Sequence, residues 1–248
     1  MLLVNQTAVI TGAGGGIGRA IAPALADQGA YVVAVDVNFE AADQTAELIG
    51  KNRAAAARAD VTSMDECDAL RSDLASQGRT ASILVNCAGV VKRGPLSGFA
   101  ALDDWHSTVS VNLTAAFQLV RLFAPDLSVQ KGSIINVGSI QSFVHAQNSV
   151  AYTTSKHAIL GMTRSMAVEL GPSGIRVNGV APGIIETDLN RAALAANPSV
   201  RSVALERTAL GRFNTVDDVA DVVVFLASGL SRGVNGVMIP VDGGYLCS

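Results

Sequence analysis

The sequence predicts an α/β fold, a doubly wound parallel sheet of seven strands with helices on both faces, in a single domain spanning residues 1–248. Three observations carry this expectation. Short apolar, β-branched runs alternate with longer amphipathic stretches from end to end, the pattern of strand–helix units. The runs are apolar throughout, as strands covered on both faces are. The first of them passes at once into a cluster of glycines and then a helical pattern.

The predicted strands are Thr7–Thr11, Tyr31–Asp36, Ala54–Asp60, Ile83–Asn86, Ser133–Val137, Arg176–Val180 and Val237–Val241. Helical periodicity fills the intervals at Gly16–Gln28, Glu40–Gly50, Met64–Gln77, Leu102–Leu122, Val150–Leu170 and Val216–Ala227. No linker or internal repeat interrupts them. The irregular stretch from Gly183 to Thr215 carries only weak helical patterns and reads as a lid over a substrate.

Composition excludes several classes of function. Of the 248 residues 49% are hydrophobic and 16% charged, with a net charge of −3 and no cluster of Lys or Arg to meet a polyanion, so nucleic acid is not expected as a partner. No apolar run approaches the ~20 residues of a membrane span, and nothing resembles a secretory signal. The scattered Cys67, Cys87 and Cys247 suit a reducing cytoplasm, and with His106, His145 and His157 equally dispersed no metal site is expected.

The first strand ends in Thr11-Gly12-Ala13-Gly14-Gly15-Gly16-Ile17-Gly18 and a helix follows. Glycines let the backbone turn sharply and approach a pyrophosphate, which then meets the N–H groups and positive dipole of the helix start. A glycine-rich turn alone would say little, but strand, glycines and helix in that order meet the requirement of a dinucleotide site. The second strand ends in Asp36, where a carboxylate accepts from both ribose hydroxyls and repels a 2′-phosphate. Neither Gly15 nor Val37 supplies a cation for such a phosphate. NAD is the cofactor expected.

Ser139 lies just past the fifth strand, at the edge where open α/β sheets bind ligands. Tyr152 follows 13 residues later and Lys156 four after that, so that Tyr and Lys share one face of a helix. A phenol with an ordinary pKa of ~10 is a weak base at neutral pH. A nearby ammonium and a nicotinamide cation both favour phenolate, which could then take the proton of a substrate hydroxyl while Ser139 holds the oxygen. Singly, each residue is as well explained by a loop or a solvated helix face; the spacing, together with the upstream glycines, favours catalysis.

On these residues the chain resembles the short-chain dehydrogenase/reductase family over essentially its whole length. The matching positions are Thr11-Gly12…Gly16…Gly18, Asp60-Val61, Asn86-Cys87-Ala88-Gly89, Asn112, Ser139, Tyr152-x-x-x-Lys156 and Pro182-Gly183. The resemblance implies a Rossmann sheet and a nicotinamide-dependent exchange between a secondary alcohol and a ketone. It implies that Asp60 and Val61 contact adenine, and that Asn86, Ala88 and Gly89 form the floor beneath the cofactor. Lys156 would hold the nicotinamide ribose, Asn112 a water that extends the proton relay, and Ile185 and Thr187 the carboxamide and phosphates. Cys87 stands where the family often has asparagine and is expected to be packed rather than reactive. A cytoplasmic homotetramer is implied as well, its interfaces formed by the two long helices and the C-terminal strand.

The substrate is read only by class. NAD preference points to a small sugar, sugar acid or polyol; a 3-oxoacyl-[acyl-carrier-protein] reductase-like enzyme and, of another kind, a non-catalytic NAD-binding redox sensor are the alternatives. Gln141, His145, Gln147 and Asn148, between Ser139 and Tyr152, either hydrogen-bond a polyhydroxylated ligand or form a solvated loop.

Overall fold

A computed structural model describes residues 1–98, 100–185 and 198–248, with the backbone alone at 198–200. Seven parallel strands form one sheet in the order β3-β2-β1-β4-β5-β6-β7. They are β1 (Thr7–Thr11), β2 (Tyr31–Asp36), β3 (Ala54–Arg58), β4 (Ile83–Asn86), β5 (Ser133–Val137), β6 (Arg176–Pro182) and β7 (Met238–Val241). The chain winds outward in one direction from β1 to β3 and in the other from β4 to β7. The carboxyl ends of β1 and β4, neighbours in the sheet, therefore open into a crevice.

Alternation along the strands sorts side chains onto two faces. Ala8 and Ile10 of β1 pack into one core with α1 (Gly16–Asp27), α2 (Phe39–Ile49) and α8 (Val216–Ala227). Val9, between them, packs into the other, with α3 (Met64–Ser76), α5 (Ala115–Gln130) and α6 (Val150–Leu170). Phe123 of α5, fully buried, anchors this second face.

Local chemistry sets most boundaries. Ser63 accepts from the Glu66 amide at 3.4 Å to cap α3. Thr215 and Asp218 cap α8 reciprocally, at 3.2 and 2.7 Å. The fourth helical region departs from expectation. It runs past Leu122 to Gln130 and is not uniform: α4 (Ala101–Val109) passes through one π turn, Ser110–Thr114, into α5. Strand β3 stops two residues early, at Arg58, because Asp60 turns back onto Thr62; its Oδ1 accepts from the Thr62 amide and hydroxyl at 2.9 and 2.7 Å. Strand β6 runs on to Pro182, paired with Val241. Within the expected lid, Pro198–Glu206 forms helix α7, beginning at its proline. Residues 186–197, Thr187 among them, lie outside the described residues.

Candidate active site

The glycine turn is built for close approach. Gly12 has φ +68°, and a Cβ there would stand 2.8 Å from the Ala88 Cα. Thr11 holds the same two strands together at this end, its hydroxyl donating to the Val85 carbonyl at 3.3 Å and accepting from the Cys87 and Ala88 amides at 3.1 and 3.2 Å. Helix α1 then begins at Gly15 with no side-chain cap and no acidic residue in its first turn. A Cβ at Gly15 or Gly16 would meet nothing within 4 Å. Free amides facing open space fit a pyrophosphate, and the residues present therefore fit a dinucleotide.

Asp36 closes this end. Its Oδ2 accepts from the Gly14 amide at 2.9 Å and its Oδ1 from the Asn38 amide at 3.0 Å. A Cβ on Gly14 would stand 2.9 Å from the Asp36 carboxyl carbon, so the glycine lets strand β2 and the turn meet.

At the other end, Ser139 follows β5 and its Oγ accepts from the Gln141 amide at 3.1 Å. Tyr152 lies in the first turn of α6, with the Lys156 Nζ 5.6 Å from its ring centre. Lys156 is buried, and its Nζ donates to the Val137 carbonyl at 2.7 Å. Gln141 ties the Ser139 turn to α6: its Oε1 accepts from the hydroxyls of Ser149 and Thr153 at 3.1 and 2.7 Å. Asn112, in the π turn, is committed to structure. Its Oδ1 accepts from the Val90 amide at 2.8 Å, and its Nδ2 donates to the Val90 carbonyl at 2.9 Å and to Ser155 Oγ at 3.2 Å.

The electrostatics correct one expectation. Burial pushes the Tyr152 phenol above its ordinary value; a hydrogen bond with Ser139 and the charge of Arg93 act in the opposite sense without overcoming it. Lys156 supplies less help than its spacing promises, because burial lowers its own ammonium to about 8. Cys87 is half-buried and lines the cavity between the two ends; burial pushes its thiol up to about 12.

One cavity of about 1040 Å³ joins the two ends. It gathers Gly12, Gly15, Gly16, Ile17, Gly18, Asp36, Ala88, Gly89, Ser139, Tyr152, Lys156, Pro182, Gly183 and Ile185. Gly14, Val37, Asp60, Val61, Asn86 and Asn112 stand outside its wall. Val61 packs into the core, and the Asn86 Nδ2 donates to the Asn136 Oδ1 across the β4–β5 pair at 2.9 Å. Among the polar residues that line it, Arg19, Arg93 and Gln141 are assigned to the site by no motif. Arg19 directly follows the glycine motif and Arg93 lies four positions past Gly89, but neither motif assigns a cation there; Gln141 is buried, whereas His145, Gln147 and Asn148 are exposed. Among the described residues there is no cluster of metal-binding side chains and no helix long and apolar enough to cross a membrane.

The profile of the family described as enoyl-(acyl carrier protein) reductase matches residues 12–246. The chain is 37% identical to galactitol 2-dehydrogenase of Rhizobium johnstonii over 99% of its length and 96% of that protein. It is 34% identical to a 3-oxoacyl-[acyl-carrier-protein] reductase of Thermotoga maritima, over 99% of this chain and all of that one. A gluconate 5-dehydrogenase from Burkholderia cenocepacia, in complex with NADP and tartrate, superposes with a TM-score of 0.93 at 35% identity, covering 100% of this chain and 97% of that one. These likenesses run over the whole chain and agree with its fold: the chain belongs to the short-chain dehydrogenase/reductase family, oxidoreductases that act on alcohol groups with a nicotinamide dinucleotide.

Proposed function

We propose that this chain interconverts a secondary alcohol and a ketone on a small polyhydroxylated compound (a sugar, sugar acid or polyol) with NAD as its cofactor, residues 1–248 acting as one binding and catalytic domain. The observation that carries the reading is the single cavity in which Ser139, Tyr152 and Lys156 face the same space as the glycine turn and Asp36. When bound, the nicotinamide dinucleotide exchanges a hydride with the carbinol carbon. The protein's own part is acid–base chemistry at the oxygen. The Ser139 hydroxyl holds that oxygen, and Tyr152, as phenolate, takes its proton. Lys156 carries the positive charge beside the phenol and binds the ribose. Asn112 holds a relay water in this reading, its side-chain amide being already bonded to Val90 and Ser155.

Gly12, Gly14, Gly15, Gly16, Ile17 and Gly18 hold the pyrophosphate side of the cofactor and Asp36 its adenosine ribose. Val37, Asp60 and Val61 flank the adenine; Asn86, Ala88 and Gly89 form the floor; Pro182, Gly183, Ile185 and Thr187 reach the nicotinamide half. NAD over NADP rests on the Asp36 carboxylate, with Gly15 bare and the exposed Val37 uncharged. Arg19, which lines the same cavity, and Arg58, paired with Asp36 across the β2–β3 register, are cations that temper this preference. A second reading, 3-oxoacyl-[acyl-carrier-protein] reduction, is favoured by the Thermotoga maritima relative. A cytoplasmic homotetramer is in keeping with the apolar side chains left exposed on α4–α6, among them Trp105, Phe117 and Val168. The test is kcat/KM with NAD and with NADP on a panel of alditols, aldonates and 3-oxoacyl thioesters. Turnover of the hydroxylated compounds with NAD supports the proposal; preference for NADP with thioesters replaces it.

A further inference from the structure

We propose that Arg93 selects a substrate bearing a carboxylate, so that among polyhydroxylated compounds the enzyme prefers the acid to its neutral counterpart. This rests on the dehydrogenase reading above and narrows its substrate. Arg93, exposed at the surface, lines the active-site cavity, and the Gly94 amide beside it donates to the Asn148 carbonyl in the loop between Ser139 and Tyr152, which places it toward the reacting end; its charge acts to lower the Tyr152 phenol, in keeping with that position. Among the described residues no hydrogen bond or ion pair engages its guanidinium, which leaves it available to a ligand in the cavity.

Its loop is held at both sides. Val90 is clamped by the two ends of the Asn112 amide, and the Gly94 amide donates to the Asn148 carbonyl at 2.9 Å, tying the segment to the loop between Ser139 and Tyr152. Gln141 adds a second group of the same sense. With its Oε1 accepting from Ser149 and Thr153, what this buried side chain retains for the cavity is the donor Nε2. Asp36, at the far end, is the one acidic residue among the described residues that line the cavity. The reacting end thus offers a guanidinium and an amide N–H, donors matched to the oxygens of a carboxylate. An anion there would on its own raise the Tyr152 pKa further; the Arg93 charge counters it, so the same residue serves recognition and the base.

The test compares matched pairs, each aldonate with the alditol of equal carbon number (D-gluconate with D-glucitol, and the five- and four-carbon pairs), in the wild type, Arg93→Gln and Arg93→Lys. The quantity read is the ratio of kcat/KM for acid over neutral compound within each protein. That ratio cancels any effect on folding and the part of the Arg93 effect on Tyr152 that both substrates share; the remainder, in which Arg93 offsets the anion beside the phenol, belongs to the selectivity being read. The wild type is expected to favour the acid at least about 10-fold, and Arg93→Gln to lose about 10–100-fold of that ratio, the span of one charge-assisted contact. Arg93→Lys, keeping the charge, should retain most of it. A wild-type preference for the alditol, or a ratio unchanged in Arg93→Gln, overturns the inference while leaving the dehydrogenase reading intact. Failure of both series to reduce the nicotinamide overturns the reading and this inference with it.

Discussion

The buried ammonium of Lys156 donates to the main-chain carbonyl of Val137 at 2.7 Å, at the end of β5. A carbonyl dipole compensates a buried charge less well than a carboxylate does, and the lysine is correspondingly lowered from 10.5 to about 8. Its neighbour Tyr152 is shifted the other way by the same burial. The site thus holds two groups whose protonation states a bound cation or anion can redistribute.

A stability measurement exposes this. Between about 8 and 10.5 the unfolded chain keeps the Lys156 proton that the folded chain has released, so stability from this group rises with pH across that window. Lys156→Met removes the titration, while the opposing shifts of Cys67, Cys87 and Tyr152 remain in both proteins, that of Cys87 enlarged in the variant by the loss of the neighbouring charge. The unfolding free energy of the wild type minus that of the variant should therefore increase from pH 8 to 10.5, by at most about 3 kcal/mol. A flat or falling difference in urea titrations would contradict the buried-charge account. The same variant should bind NADH more weakly in a fluorescence titration, because the ribose loses a donor.

Asn112 gives a second expectation, on packing more than chemistry. Asn112→Leu leaves the Val90 amide and carbonyl and the Ser155 hydroxyl without their partner, and leaving buried polar groups unmade costs about 1–3 kcal/mol. Denaturant midpoints should drop accordingly, and kcat should fall with them because Val90 leads into the Arg93 loop. A variant as stable as the wild type would show that the clamp is idle.

Cofactor choice turns on Asp36. Asp36→Ala should lower kcat/KM with NAD about 10–100-fold by removing a charge-assisted hydrogen bond to ribose. Its carboxylate also holds the Gly14 and Asn38 amides, so part of that loss should fall on NADP too. The NADP-to-NAD ratio should nonetheless rise, and Val37→Arg added to it should raise the ratio further by supplying a guanidinium. A wild type that prefers NADP would refute the role given to Asp36.

The pH dependence of alcohol oxidation follows from the phenol. Tyr152 must be deprotonated to accept a proton, so kcat/KM rises with pH toward a plateau. Arg93 lowers the phenol's pKa, and its loss must raise it. Arg93→Gln should move the rising limb of a neutral alditol's profile to higher pH, and profiles that overlay would remove Arg93 from the neighbourhood of the base.

Much of this was legible in the chain. Helices α6 and α8 end where their periodicity ends, and β1, β2, β4 and β5 match their mostly apolar runs, because strands covered on both faces admit few polar residues, Asn86 and Asn136 being paired with each other. The π turn at Ser110–Thr114 was not legible: one widened turn shifts the hydrophobic pattern too little to interrupt it. Asp60 reads as a strand end from its apolar run, yet its carboxylate folds onto Thr62, a local bond that competes with the ladder. Spacing brought Tyr152 and Lys156 together correctly. It could not reveal that burial would weaken the ammonium, nor that Arg93, which lies 59 positions before Tyr152, would reach the same phenol. Gln141, left open between ligand and solvent, proves to be buried; four positions past β5 contact decides, and contact has no period.

The central claim is that Tyr152 moves the proton at the reacting oxygen. Tyr152→Phe keeps the ring and removes only the hydroxyl, so NADH affinity by fluorescence should stay within about 3-fold of wild type while kcat for alcohol oxidation falls by about 10²–10⁴-fold, the usual contribution of acid–base catalysis. Near-normal turnover in that variant, with NADH still bound, would contradict the account.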